Sequence, residues 1–312
     1  MKKSQRSGKE GSLSLIHRLA AYEAIKELAS SKGYPVDRLC RYLNITRSAY
    51  YHWLKHPKSN NEIQNEYISS QVKKIHEQHP DMGYRRIRDE LDGHSGIHVN
   101  DKRVLRICRK FEIKSNIKWK PKSCTRGDRN PDHVAKNYLH REFHADKPNE
   151  KWLTDVTEFK YYIGIEVHKI YLSAILDLYD RRIVTFKIND HNDNPLVMDT
   201  FDDAVHLEPD AHPLFHSDRG FQYTSTQFYN RLRTHHMKQS MSRVAHCIDN
   251  GPMEGFWGIL KREMYYGHRF TDKETLINAI MEYIDYYNNQ RLQRKLNVKT
   301  PMEFHNLYVK AA

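Results

Sequence analysis

Between residues 151 and 242 the chain carries a run of strand patterns that leaves few folds open. KWLTDVTEFKYY, VHKIYLSAILDLYD and RRIVTFKI follow one another with alternating or continuous β-branched and aromatic residues, and Asp180 stands at a tight reversal. A helical stretch at about 195–206 comes next, then the apolar run PLFHSD, a helix from Ser225 to Met237, and the short strand KQSMS. Three antiparallel strands followed by alternating helices and strands make a mixed sheet with helices on both sides.

That element order predicts an α/β, ribonuclease-H-like mixed-sheet catalytic domain. In it Asp155 lies on the first strand, Asp218 ends the fourth, and Glu254 sits on the helix after the fifth, so chain-distant acids would meet at one sheet edge. Three carboxylates at element boundaries suit a pair of Mg²⁺ ions, which take hard oxygen ligands. Two such ions about 4 Å apart activate an attacking oxygen and stabilise the leaving one. Each acid has a plainer alternative: a buried salt bridge for Asp155, a turn residue for Asp218 before Gly220, and a helix-dipole partner for Glu254 in a first turn begun by DNGP. Asn250 or Asp249 is the expected cap there. Lys261, seven positions after Glu254, is placed to reach a phosphate.

The formal net charge of +12 is unevenly spread: residues 1–60 hold 12 Lys/Arg against 4 Asp/Glu and 101–129 hold 11 against 3, while 61–100 and 130–312 are slightly acidic. Basic blocks of this kind neutralise DNA phosphates, giving salt-dependent affinity. They coincide with helical patterns. Residues 13–32 read as an amphipathic helix, and VDRLCRYL and TRSAYYHWLK follow as a helix-turn-helix pair capped at Thr46. Ala49, Tyr50, Trp53 and Leu54 form its expected buried stripe, leaving Arg47, Ser48, Tyr51, His52 and Lys55 on the outward face, with Arg47, Ser48 and Tyr51 the expected DNA contacts. GYRRIRDEL and DKRVLRICRKF, capped by Asn100, repeat the logic, with Lys102, Arg103, Arg106, Arg109 and Lys110 expected outward on phosphates. All-α helix-turn-helix modules thus precede the catalytic domain.

The expected organisation is a helix-turn-helix module at 1–60, a second helical module at 61–125, a basic and polar linker at 126–150 that could follow DNA, the core at 151–265 and a helical extension at 266–312. No apolar run approaches 18 residues, which excludes a transmembrane span, and the amino terminus lacks a signal-peptide core, so a cytoplasmic, nucleoid-associated protein is expected. Cys40, Cys108, Cys124 and Cys247 are far apart and form no CxxC pair, arguing against a disulfide framework or a zinc site.

WLTDVTEF, HSDRGFQYTS, SMSR, DNGPMEGFWGILKRE and YNNQRLQRKLNVKTPMEF occur in an order that resembles the catalytic frame of bacterial insertion-sequence transposases of the IS-three group, relatives of retroviral integrase. The resemblance spans about residues 20–307. It implies Asp155, Asp218 and Glu254 as catalytic, metal-binding acids and Lys261 as the basic position after the Glu. Arg291 takes the arginine of the YN-x-x-R pattern, expected to order the fold or touch DNA. Where the family often has ESFF this chain has Glu254-Gly255-Phe256-Trp257, and Gln293 stands where His is frequent. The family usually joins this frame to an upstream one carrying a leucine zipper, so an upstream-frame partner protein is implied.

The expected activity is therefore a DNA transposase: Mg²⁺-dependent cleavage at element ends and strand transfer, with Mn²⁺ able to substitute. The expected partner is double-stranded DNA, both terminal inverted repeats and target. Joining two ends calls for a homo-oligomer assembled on DNA. The helix DKETLINAIMEYIDYYNNQR, with Leu276, Ile280, Tyr283 and Tyr287 on one stripe, is expected to pack on its own domain and not to drive that assembly. The rivals are a nuclease of the same fold that hydrolyses without joining, and a DNA-binding repressor with a decayed catalytic domain.

Overall fold

The computed structural model describes residues 10–55, 60–117, 133–243 and 247–311. Cys124 and the first seven residues of the expected linker lie outside them. The chain divides into two compact units, up to Gln71 and from Val72 onward.

The first unit contains α1 (Glu10–Lys32), α2 (Val36–Tyr42) and α3 (Arg47–Lys55). Ile25, Cys40 and Tyr50 are buried together, with Trp53 stacked on Tyr22 at 5.4 Å between ring centroids. Thr46 Oγ1 accepts from the Ala49 amide, the expected cap. Arg47, Ser48 and Tyr51 are exposed as expected, but so is Leu54, at 45%, which removes it from the predicted stripe. The seven-residue α2 and nine-residue α3 offer too little surface to cover it.

Helix α4 (Asn60–Gln78) runs across the division of the chain, and α5 (Tyr84–Gly93) and α6 (Asp101–Lys110) follow. Asn100 Oδ1 caps α6 by accepting from the Arg103 amide at 2.8 Å. Ile87, Leu91, Val104, Ile107 and Cys108 are buried. Lys102, Arg106, Arg109 and Lys110 are exposed, whereas Arg103 is half-buried and so does not stand fully outward with them.

The sheet contains β1 (Lys151–Ile163), β2 (Glu166–Asp177), β3 (Ile183–Asn189), β4 (Leu214–Ser217) and β5 (Lys238–Met241), in the order β3-β2-β1-β4-β5. The first three pair antiparallel, and β4 and β5 join in parallel through crossovers containing α7 (Asn194–Leu207) and α8 (Thr226–Thr234). Both faces are covered. Leu153, Ala174 and Leu176 face a core with α9 (Gly251–Leu260) and α10 (Lys273–Asn289); Trp152, Ile175 and Phe215 face the opposite core with Phe201 of α7 and Phe228 of α8. The alternation of neighbours between the two cores is the period-2 signature of a strand. Leu276, Ile280, Tyr283 and Tyr287 of α10 join the first core, so that stripe packs on its own domain. Helix α11 (Pro301–Ala311) ends the described chain.

Residues 133–139 are not a free linker. They run along the outer edge of β5, where Met241 N–H donates to the Lys136 carbonyl and Ser240 Oγ accepts from the Tyr138 and Leu139 amides. An edge strand leaves unpaired backbone groups, and this strip engages them.

The second helical module is tied to the carboxy-terminal region by charge. The Arg294 guanidinium donates to Asp89, Asp101 and the Arg85 carbonyl. Arg86 pairs with Glu263 at 2.9 Å, and Arg291 donates twice to the same carboxylate. Arg291 therefore orders the fold from the interior.

Candidate active site

Asp155 shares its strand face with Leu153 and Phe159, the face that α9 covers. Two contacts join that helix to the strand. Asn250 Nδ2 donates to the Thr154 carbonyl at 3.1 Å, and Trp257 Nε1 donates to Asp155 Oδ2 at 3.0 Å. Neither Asn250 nor Asp249 caps α9 as expected. Asn250 is turned toward β1, and the buried Asp249 carboxylate accepts from Arg243, Arg141 and Asn137. Those arginines hold the Asp249 carboxyl well below the ordinary carboxylate range. For Asp249 the arginines outcompete the local cap because they answer its full charge.

Asp218 leaves the end of β4, parallel to β1, and its Oδ1 accepts from the Gly220 amide at 2.8 Å. Gly220 has no positive φ, so conformational freedom is not its role. A Cβ there would lie 3.1 Å from Asp218 Oδ1 and 3.1 Å from Gln222 Oε1, so its small size lets the carboxylate fold back over the loop. Beneath the pair, fully buried Tyr223 places its hydroxyl 3.2 Å from Thr154 Oγ1.

The electrostatics tie the acids together. Burial pushes Asp155 up to about 8, with the charge of Asp218 as the next cause and Glu254 a smaller one. Burial raises Asp218 as well. The two acids stand on, and just past the end of, neighbouring parallel strands, and the charge of Asp218 reaches Asp155. Glu254 sits on the exposed first turn of α9, near enough to be felt by Asp155. Among the described residues no group of three or more His, Cys, Asp or Glu forms a closed metal-ligand set, so the three acids stand apart as a full cluster.

Lys261 opens a wide π-helical turn, Lys261–Tyr265, closed by the Tyr266 amide on the Lys261 carbonyl. Its amine lies 5.1 Å over the Phe159 ring, and burial lowers its pKa against the opposing pull of Glu158 and Asp155. It is thus held on the Asp155 side of α9.

The donor set fits a divalent cation. Two hard carboxylates share a half-buried site in which Asp155 resists ionisation without a counter-charge, which is what a bound dication supplies. Another acid pushed up, Asp177 at about 7, has a structural explanation: burial at the end of β2 and the neighbouring charge of Asp180 raise it, against the pull of the Asn149 and Tyr179 amides that donate to it.

Trp257 and Tyr223 were not singled out as site residues in the sequence. Trp257 was visible only as the departure from ESFF, and its indole N–H is the group that reaches Asp155.

Comparison with known proteins gives three family matches: an integrase core domain over residues 145–247, a second integrase core domain model over 254–308, and an HTH-like domain over 62–121. The chain is 37% identical over 275 residues to a putative transposase, InsK, for insertion sequence element IS150 of Escherichia coli K12, covering 88% of this chain and 94% of that protein. It is 32% identical over 273 residues to an uncharacterized 31 kDa protein of insertion element IS600 from Shigella sonnei, covering 86% and 98%. Among solved structures, the HTLV-2 integrase catalytic core domain in complex with magnesium overlaps 51% of this chain and 98% of its own at 21% identity, with a TM-score of 0.39. No described helix is long and apolar enough to cross a membrane.

Proposed function

Because the chain belongs to the IS3-family insertion-sequence transposases, enzymes of DNA transposition with an integrase core, we propose that Asp155, Asp218 and Glu254 are its catalytic, metal-binding acids. The observation that carries this is the parallel pairing of β1, which bears Asp155, with β4, whose end leads into Asp218 63 positions later in sequence, with the charge of Glu254 reaching Asp155 from α9.

The family uses a divalent metal, and the proposed occupants are two Mg²⁺ ions, with Mn²⁺ as a substitute. When bound, they supply the Lewis acidity that activates the attacking oxygen and stabilises the leaving one. The chain's own residues orient and neutralise. Trp257 fixes Asp155 Oδ2 and the Gly220 amide fixes Asp218 Oδ1, which orients the two carboxylates. Lys261 lies on the Asp155 side of α9 and is proposed to hold a phosphate oxygen. Lys102, Arg103, Arg106, Arg109 and Lys110 of α6 are proposed to grip backbone phosphates, and Arg47, Ser48 and Tyr51 of α3 to read base edges of the terminal inverted repeats. The modules are proposed to follow the boundaries 1–60, 61–125, 126–150, 151–265 and 266–312, except that residues 133–139 pack along β5 as part of the core. Since one acid set serves one phosphodiester at a time, the working form is a homo-oligomer on paired ends, with an upstream-frame protein as a partner, acting on nucleoid DNA in the cytoplasm.

A linear element-end substrate incubated with the protein and Mg²⁺, followed by sequencing of the products, tests this. Cleaved and joined ends are expected; cleavage without joining would make the protein a nuclease instead. Asp155→Asn, Asp218→Asn and Glu254→Gln should each abolish both steps while end binding persists. Near-normal cleavage by any one of them removes that residue from the site.

A further inference from the structure

An open groove of about 580 Å³ lies outside the acid site, between residues 133–138, the start of β5 and the end of α8. Its walls present Lys136, Arg233, Lys238, His133, Tyr138 and Tyr229, and none of the described residues lining it is acidic. Lys136, Arg233 and Lys238 are exposed and, in the described residues, have no carboxylate partner within ion-pair distance. The cations lie on aromatic rings: Lys238 Nζ stands 3.5 Å from the Tyr138 ring centroid, and Arg233 lies 5.9 Å from that of Tyr229, which also packs on His133 at 4.1 Å. Such contacts orient a flexible cation without neutralising it. The acid that this strip does contact, Asp249, is buried and already answered by Arg141 and Arg243.

One end of the groove adjoins the catalytic loop. The His133 amide donates to the Thr224 carbonyl, the Thr224 amide to the Gly220 carbonyl, and the Gly220 amide to Asp218 Oδ1. A ligand following the groove toward His133 therefore arrives at the loop that carries Asp218. The segment 118–132 that precedes the strip carries five Lys/Arg against two Asp in sequence, so it is of the same sign as the groove and a poor electrostatic match for it.

We propose that this groove carries the sugar-phosphate backbone of DNA leading to the Asp218 loop, a second phosphate-binding surface separate from α6. The proposal rests on the reading of DNA as the substrate.

Salt dependence of binding decides it. The full chain would be titrated with a random-sequence duplex, without metal, across a series of NaCl concentrations, because each phosphate neutralised contributes about 0.9 to the slope of log K against log salt. The triple variant Lys136→Gln/Arg233→Gln/Lys238→Gln should lower that slope by about 2 to 3 and weaken binding at least about tenfold at low salt. Lys136→Arg/Lys238→Arg, which keeps the charge, should retain the wild-type slope. A matched triple at exposed lysines elsewhere, Lys147→Gln/Lys295→Gln/Lys310→Gln, should change it by less than about 1. An unaltered slope in the groove variant, or an equal drop in the matched control, overturns the proposal. The assay needs no cleavage, so a protein that fails to cut element ends sinks the catalytic assignment while the slopes still decide the groove.

Discussion

Replacing Glu263 by Gln should unfasten the second helical module from the catalytic domain. The Glu263 carboxylate accepts from Arg291 Nε at 3.0 Å and Nη2 at 2.9 Å, from Tyr283 Oη at 2.8 Å, and pairs with Arg86 at 2.9 Å. Its side chain is 8% exposed, and Arg291 and Arg86 are 12% and 22%, so solvent screening offers little relief. Gln keeps the volume and creates no cavity. It removes the charge, though, and turns an NH₂ donor toward guanidinium donors, leaving Arg291 without its carboxylate while Arg86 keeps only that of Asp81. Loss of one partner from a buried ion network costs about 3–5 kcal/mol. For a folding unit of this size that corresponds to a fall in Tm of about 6–20 °C by calorimetry. The pH dependence checks the cause. The arginines and Tyr283 hold Glu263 below its ordinary range despite burial, so its contribution is full above the unfolded carboxyl value, about 4.3, and is lost as pH falls through the folded value. The stability gap between wild type and variant should therefore be wide at pH 7 and narrow toward pH 3. A gap below about 1 kcal/mol at pH 7, or one that stays constant down to pH 3, refutes the assignment of a charge-bearing latch.

Trp257→Phe keeps the ring in the core but deletes the donor to Asp155; the Mg²⁺ concentration for half-maximal cleavage should rise about 10-fold or more, and an unchanged requirement would show the contact to be incidental. Asp155→Asn relieves a crowded, half-buried carboxylate, so without metal it should raise stability by about 1–3 kcal/mol in urea melts, and Mg²⁺ should stabilise the wild type but not the variant. Gly255→Ala places a methyl on an exposed helical position with nothing within 4 Å, and should add about 0.5–1 kcal/mol of stability, with a loss of stability counting against an unstrained helix there.

Much of the scaffold was legible in the chain because strand and helix patterns are local. The alternation that divides Leu153 from Trp152 between two cores, the caps at Thr46 and Asn100, and the apolar stripe of α10 are each written within a few residues. Asp155 and Asp218 could be picked out because a carboxylate at the middle or end of an apolar strand is costly to bury without a purpose. Tertiary structure alone decided which polar groups answer which. Trp257 reaches Asp155 across 102 positions, Arg86 and Arg294 reach across about 200 to bind the helical module to the carboxy-terminal region, and Asp249 leaves a helix cap for arginines on two other segments. The role of Gly220 likewise lay in the space beside its Cα and not in its φ. Periodicity is set by the geometry of a single strand or helix, and so it is visible in sequence. The pairing of charges depends on distances between segments, which exist only once the cores on both faces of the sheet have closed.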